Sequence, residues 1–190
     1  MPVEKANVTL ANRITFFRVL TIPVFVLLIF CYTRERDWLR LVALGIYGVA
    51  ALSDAIDGYI ARHYNQSSKL GARLDPLADK LIINLGLVFL ASNPQFDPAI
   101  PLWFPVLVLG RDVAIVMGAF IINEYFAPVK VKPRWSGKAT TALQMSTLIA
   151  YLLPVFFAPG LLYATAVLTV FSFVDYMYAG SMQVLKRDSA

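Results

Sequence analysis

Six stretches of mostly apolar residues, at about 14–32, 40–61, 76–92, 101–122, 139–157 and 161–184, leave this chain little choice of fold. Each approaches the roughly 20 residues that a helix needs to cross a bilayer. The short connections carry helix breakers, such as Asn93-Pro94, Asp97-Pro98, Pro128, Pro133 and Pro159-Gly160. Composition agrees, since 58% of the 190 residues are apolar and only 15% are charged. A soluble domain carries about 25% charged residues, and a disordered one lacks the apolar content. Mean hydropathy is +0.65. The expectation is an all-α, polytopic membrane protein with six transmembrane helices, forming one domain over 1–190 without repeat or linker. Residues 4–13 mix polar and apolar side chains and suit a short N-terminal helix lying in the interface.

Loop charges predict the orientation. Lys5, Arg13 and Arg18 precede or open the first span, and Arg62, Lys69 and Arg73 follow the second. Lys130, Lys132, Arg134 and Lys138 separate spans four and five, and Lys186 and Arg187 follow span six. Six spans put all of these on one side, with both termini cytoplasmic. Arg34, Arg36 and Arg40 are the exception, partly offset by Glu35 and Asp37. The net charge of +5 reads as attraction to anionic lipid or anionic substrate. No basic run interleaved with aromatics suggests a nucleic-acid partner. The single cysteine, Cys31, excludes an internal disulfide and a thiolate metal site.

Four aspartates stand where hydrocarbon would be costly, at roughly 2.5–3.5 kcal/mol each near a helix centre. Asp54 and Asp57 close the second span, and Asp75 and Asp79 open the third. At about 100° per residue, Asp54, Asp57, Gly58 and Ala61 share one stripe, and Asp75 and Asp79 share another. Pro76 fits the first turn of a helix capped by Asp75, although a helix continued from Gly71 serves as well. His63, the sole histidine, is expected in the loop.

Converging carboxylates must share protons or hold cations. Pairing with Arg62, Arg73 and Lys80 would merely lock two helices, but four acids exceed the basic partners on those faces. Oxygen donors without His or Cys select Mg²⁺, Mn²⁺ or Ca²⁺ over zinc. Two such ions are a recurrent device for displacement at phosphorus. Gly58, Ala61 and Gly71 clear space beside the acids, and Arg62 offers a fork for phosphate oxygens. Arg111 lies inside the fourth span, where a cation is functional by default. With Arg134 and Lys138 it could bind a phosphate on a second substrate, and Asp112 could be the salt-bridge partner that orients it. Asp175 reads as a buried hydrogen-bonding group. Intramembrane acids also suit an ion-coupled transporter, yet these crowd one membrane edge.

The segment Asp54-x2-Asp57-Gly58-x2-Ala61-Arg62-x8-Gly71-x3-Asp75-x3-Asp79 resembles the complete signature of the CDP-alcohol phosphatidyltransferase family. Asn12-Arg13-Ile14-Thr15-x2-Arg18, Gly110-Arg111-Asp112 and Gly137-Lys138 are similar to further family features. The resemblance implies transfer of the phosphatidyl group of CDP-diacylglycerol to an alcohol, with release of CMP. It implies two divalent cations, Mg²⁺ or Mn²⁺, on Asp54, Asp57, Asp75 and Asp79, with Asp79 also the general base. Gly58, Ala61, Arg62, Ser68 and Gly71 would line the CDP-lipid site. A phosphate-bearing acceptor held by Arg111, Arg134 and Lys138 puts glycerol 3-phosphate first. Phosphatidylglycerol, the acceptor of CMP-forming cardiolipin synthases, comes second, because Val131-Lys132-Pro133-x3-Gly137-Lys138 is similar to that branch. A homodimer in a bacterial-type inner membrane, with a cytoplasmic active site, is implied as well.

Overall fold

The computed structural model describes residues 10–64, 71–125 and 134–188, with side chains for 20–53, 79–122, 124 and 134–182. Those residues form six α-helices and no strand. They are α1 (Leu10–Phe30), α2 (Trp38–Tyr64), α3 (Gly71–Ser92), α4 (Trp103–Tyr125), α5 (Trp135–Leu152) and α6 (Ala158–Asp188). A single 3-10 turn, Arg34–Arg36, joins α1 to α2. Backbone packing divides the chain into two units, Met1–Phe96 and Asp97–Ala190.

In the first unit α1 packs against both α2 and α3. Its buried positions Ile22, Phe25 and Ile29 recur at three and four residues, the period of one helix face. They meet Leu39, Ala43, Tyr47 and Ala50 from α2, and Ile82, Ile83, Leu87 and Leu90 from α3. The far end is tied by Asn93, whose side-chain amide donates to the carbonyls of Ile29 (2.8 Å) and Tyr32 (3.1 Å). Those carbonyls belong to the end of α1, where helical partners run out. Tyr32 stacks on Phe96 with ring centres 4.1 Å apart. Arg40 pairs with Asp37 at 2.8 Å, and Arg34 donates to the Gln95 carbonyl, so two of the three exceptional arginines have local partners.

In the second unit α6 is the common support, packed against α4 and α5. The α5–α6 seam is polar. Ser136, Thr140, Gln144 and Thr147 on α5, and Thr165, Thr169 and Ser172 on α6, are all buried. Thr147 and Thr165 share a hydroxyl–hydroxyl bond of 2.8 Å. Thr140 donates across the seam to the Leu168 carbonyl and Thr165 to that of Leu143. Thr140, Thr147, Thr165 and Thr169 each also reach back to a carbonyl one turn earlier in their own helix, while Ser136 donates to Asp175 and Ser172 accepts from Arg111, so every seam hydroxyl has a partner.

The exterior is the reverse of a soluble protein's. Leu27, Phe30, Leu52, Val106, Val116, Phe120, Val167 and Phe156 are exposed, while Arg111, Asp112 and the seam hydroxyls are buried. Two described stretches are long and apolar enough to cross a membrane, Trp103–Ile122 and Ala158–Met182. Only 22% and 28% of them is buried, so neither is the enclosed core helix of a soluble fold.

Several helix ends differ from expectation. Helix α3 begins at Gly71, so Pro76 lies inside it and Asp75 is no cap; of the two expectations the continued helix is the one found. His63 falls in the last turn of α2 rather than in a loop, because that helix runs on past the acidic residues to Tyr64. Leu10–Arg13 are the start of α1, and residues 4–9 of the expected interfacial helix lie outside the described residues. Helix α5 stops at Leu152, ahead of Pro154, where proline's missing N–H cannot continue the ladder. Pro159 stands in the first turn of α6, where that same missing donor costs nothing.

Candidate active site

The acidic signature lies wholly in the first unit. Asp54, Asp57, Gly58, Ala61 and Arg62 are in the last three turns of α2, and Gly71, Asp75 and Asp79 in the first three turns of α3. Only six residues, 65–70, separate the helices, so the two acid-bearing helix ends are neighbours along the chain. The side chains of Asp54, Asp57, Gly58, Ala61, Arg62, Gly71 and Asp75 lie outside the described residues, as does all of Ser68. Asp79 is described. It is half-buried. Among the described residues no three metal-ligating side chains gather. The donor chemistry nevertheless fits a hard divalent cation: four carboxylates and no thiolate on two consecutive helix ends.

The second unit carries a cationic cluster built from all three of its helices. Arg111, on α4, is only 7% exposed. Its Nη1 donates to Asp112 Oδ1 at 2.8 Å and its Nη2 to Ser172 Oγ at 2.5 Å. The guanidinium also faces the Tyr176 ring, 5.5 Å from its centre. Such company is required, because an arginine at this depth is tolerated only when paired. Nε of Arg111 alone has no hydrogen-bond partner.

Tyr176 passes this arrangement on. Its hydroxyl accepts the backbone N–H of Arg134 at 3.1 Å, fixing the residue that leads into α5. Arg134 in turn grips Asp175 through Nε and Nη2, both at 2.6 Å, a two-pronged guanidinium–carboxylate pair. Ser136 Oγ donates to the same carboxylate at 2.5 Å. The hydrogen bonds to Asp175 push the Arg134 guanidinium above its ordinary pKa, so it remains a cation at every working pH. One turn on, Lys138 is exposed. Arg111 and Arg134 are thus brought together through Tyr176, and Lys138 stands beside them on the first turn of α5. Lys130 and Lys132 lie outside the described residues.

Gly137 makes the close approach possible. A Cβ there would sit 2.8 Å from the Tyr176 hydroxyl and 3.3 Å from Arg111 Nη2. Gly137→Ala is therefore expected to cost about 1–3 kcal/mol through overpacking, read as a lower unfolding temperature in detergent. Gly118→Ala, which meets nothing within 4 Å, is the matched control and should be neutral or slightly stabilising.

Sequence reasoning named Arg111, Asp112, Arg134, Lys138 and Asp175 but missed Ser136, Ser172 and Tyr176. A signal was present. Ser136, Thr140, Gln144 and Thr147 recur at helical spacing, as do Thr165, Thr169, Ser172 and Tyr176, which marks two facing polar stripes.

These features define a class. The chain belongs to the CDP-alcohol phosphatidyltransferase family, whose profile matches residues 8–171. It is therefore an enzyme of phospholipid biosynthesis, a membrane-bound transferase, and the transporter alternative is set aside. It is similar to a probable phosphatidylglycerophosphate synthase of Mycobacterium tuberculosis, 32% identical over 177 residues, 88% of this chain and 79% of that one. The CDP-diacylglycerol–glycerol-3-phosphate 3-phosphatidyltransferase of Sodalis glossinidius is 33% identical over 175 residues, 87% and 91% of the two chains. The protein of that name from Escherichia coli K12 is 31% identical over 184 residues, 92% and 96% of the two chains.

Proposed function

We propose that this chain is a phosphatidylglycerophosphate synthase, moving the phosphatidyl group of CDP-diacylglycerol onto glycerol 3-phosphate and releasing CMP. The observation that carries this is the match, over about nine-tenths of the chain, to relatives named for that reaction. The cationic cluster at the start of α5 supports it, since a phosphate-bearing acceptor needs fixed positive charge near its binding site.

Asp54, Asp57, Asp75 and Asp79 would hold two divalent cations, Mg²⁺ or Mn²⁺, which would supply positive charge to offset that of the diphosphate and of the departing CMP. Gly58, Ala61 and Gly71 leave room for the CDP-lipid, and Arg62 and Ser68 bind its polar part. Lys138, Arg134 and Arg111 bind the acceptor's phosphate. Asp79 takes the proton of that hydroxyl as its oxygen bonds to the phosphorus bearing diacylglycerol. The bond from that phosphorus to the CMP oxygen breaks, and CMP leaves with the electron pair. All six helices span a bacterial-type inner membrane, with both termini and the site cytoplasmic. The whole chain acts as one domain, and it pairs as a homodimer.

A second reading, a CMP-forming cardiolipin synthase with phosphatidylglycerol as acceptor, is favoured by the likeness of Val131-Lys132-Pro133-x3-Gly137-Lys138 to that branch. Purified protein given labelled CDP-diacylglycerol and Mg²⁺ or Mn²⁺ separates the two. Metal-dependent CMP release is expected with glycerol 3-phosphate and should cease on chelation. Release with phosphatidylglycerol instead would move the assignment to the second reading, and no release with any acceptor would end both.

A further inference from the structure

We propose that Tyr176 is a positioning residue for acceptor binding, setting the span between Arg111 and Arg134 so that one phosphate meets both guanidinium groups. The inference deepens the proposed function and rests on its reading of these cations as the acceptor's phosphate site. Three observations lead to it. The first is contact. Tyr176, on α6, reaches both cations. The Arg111 guanidinium from α4 lies over its ring, 5.5 Å from the centre, and its hydroxyl accepts the backbone N–H of Arg134 at 3.1 Å. A tyrosine holds an aromatic face and a polar tip at a fixed separation, with few rotatable bonds to blur it.

The second is clearance. A Cβ at Gly137 would lie 2.8 Å from the Tyr176 hydroxyl, 3.1 Å from its ring and 3.3 Å from Arg111 Nη2. Phenol and guanidinium therefore press together on the first turn of α5, the turn that follows Arg134 and carries Lys138. The third is what the hydroxyl is not needed for. Arg111 already has Asp112, and Arg134 has Asp175, so neither charge depends on the phenol for a partner. Arg134 is half-buried at the N-terminal end of α5, where water can serve its N–H as well as a hydroxyl does. A phenylalanine would keep the ring against Arg111 and fill the same space. What the hydroxyl adds is location. Asp175 and Tyr176 are consecutive in α6, one holding the side chain of Arg134 and the other its main chain. A long, rotatable cation gives up binding strength when the ligand itself must order it, and one ordered beforehand does not.

The test is Tyr176→Phe in the full-length protein, assayed for CMP release in lipid–detergent micelles with both substrates varied. The KM for glycerol 3-phosphate should rise about threefold to tenfold, the effect of losing one neutral hydrogen bond. The KM for CDP-diacylglycerol and kcat should stay within about twofold. Inorganic phosphate, used as a competitive inhibitor against glycerol 3-phosphate, should weaken by the same factor, because the anion is the part that is sensed. A purely structural tyrosine would lower the unfolding temperature without separating the two KM values. Hence a glycerol 3-phosphate KM within twofold of the parent, an equal change in both KM values, or loss of fold would each overturn the proposal. Arg134→Gln run alongside keeps the two readings apart. If it leaves the glycerol 3-phosphate KM unchanged, the phosphate-site reading of Arg134 fails. If it raises that KM while Tyr176→Phe does not, only the role of Tyr176 falls. In the Arg134→Gln background, Tyr176→Phe should bring no additional rise, because the cation it positions is gone.

Discussion

Asp79→Asn is expected to fold as the parent does and to lose turnover by about 10²–10⁴-fold, measured as CMP released with glycerol 3-phosphate at saturating CDP-diacylglycerol. The two side chains have nearly the same shape, and Asp79 is half-buried within α3. What the amide cannot do is accept the proton of the attacking hydroxyl. Asp79 is also proposed as a cation ligand, and the two roles separate on a Mn²⁺ titration. A lost ligand weakens cation affinity and is recovered by raising Mn²⁺, whereas a lost base is not. Near-parental turnover in Asp79→Asn would remove it from the mechanism. Full recovery at high Mn²⁺ would leave it as ligand alone.

The second large effect concerns Arg111. Arg111→Ala should destabilise the fold by about 3–5 kcal/mol, because it removes the cation paired with the buried Asp112 carboxylate. It also leaves Ser172 and the Tyr176 ring without their cation. An activity loss in that variant would say nothing about acceptor binding. The paired variant Arg111→Met with Asp112→Leu removes both charges at similar volume and should be close to neutral in stability. In it the KM for glycerol 3-phosphate should rise about tenfold to a hundredfold while that for CDP-diacylglycerol holds. If neither KM moves, Arg111 only braces α4 against α6, and the phosphate falls to Arg134 and Lys138.

How much of this was legible in the sequence depended on how local the signal was. Six helices were readable because apolar runs and proline breakers are local. Their ends were less so, and the case of α3 shows why. Pro76 looks like a first-turn residue, but the acid-bearing helix starts at Gly71 and carries the proline in its second turn, giving up one backbone hydrogen bond there. The aspartate spacing was legible because function itself writes it as a pattern on consecutive helices. The company of Arg111 was half legible. Asp112 is its neighbour in sequence, and the ion pair between them could be named. Ser172 and Tyr176 are 61 and 65 residues away, and only the packing of α4 on α6 delivers them. Asp175 was read as a buried hydrogen-bonding group, but the identity of its partners, Arg134 and Ser136, needed the fold.

The contrast within the α5–α6 seam has a consequence for how this half of the molecule opens. Along most of its length the two helices are joined by neutral hydroxyls whose bonds neither salt nor proton concentration can weaken. Among the described residues the join is ionic only at the Arg134–Asp175 end, with the Arg134 side chain 39% exposed to its surroundings. Counter-ions therefore have one place to act. Any loosening of the pair by ionic strength is therefore expected to start at that end rather than along the hydroxyl-bonded length.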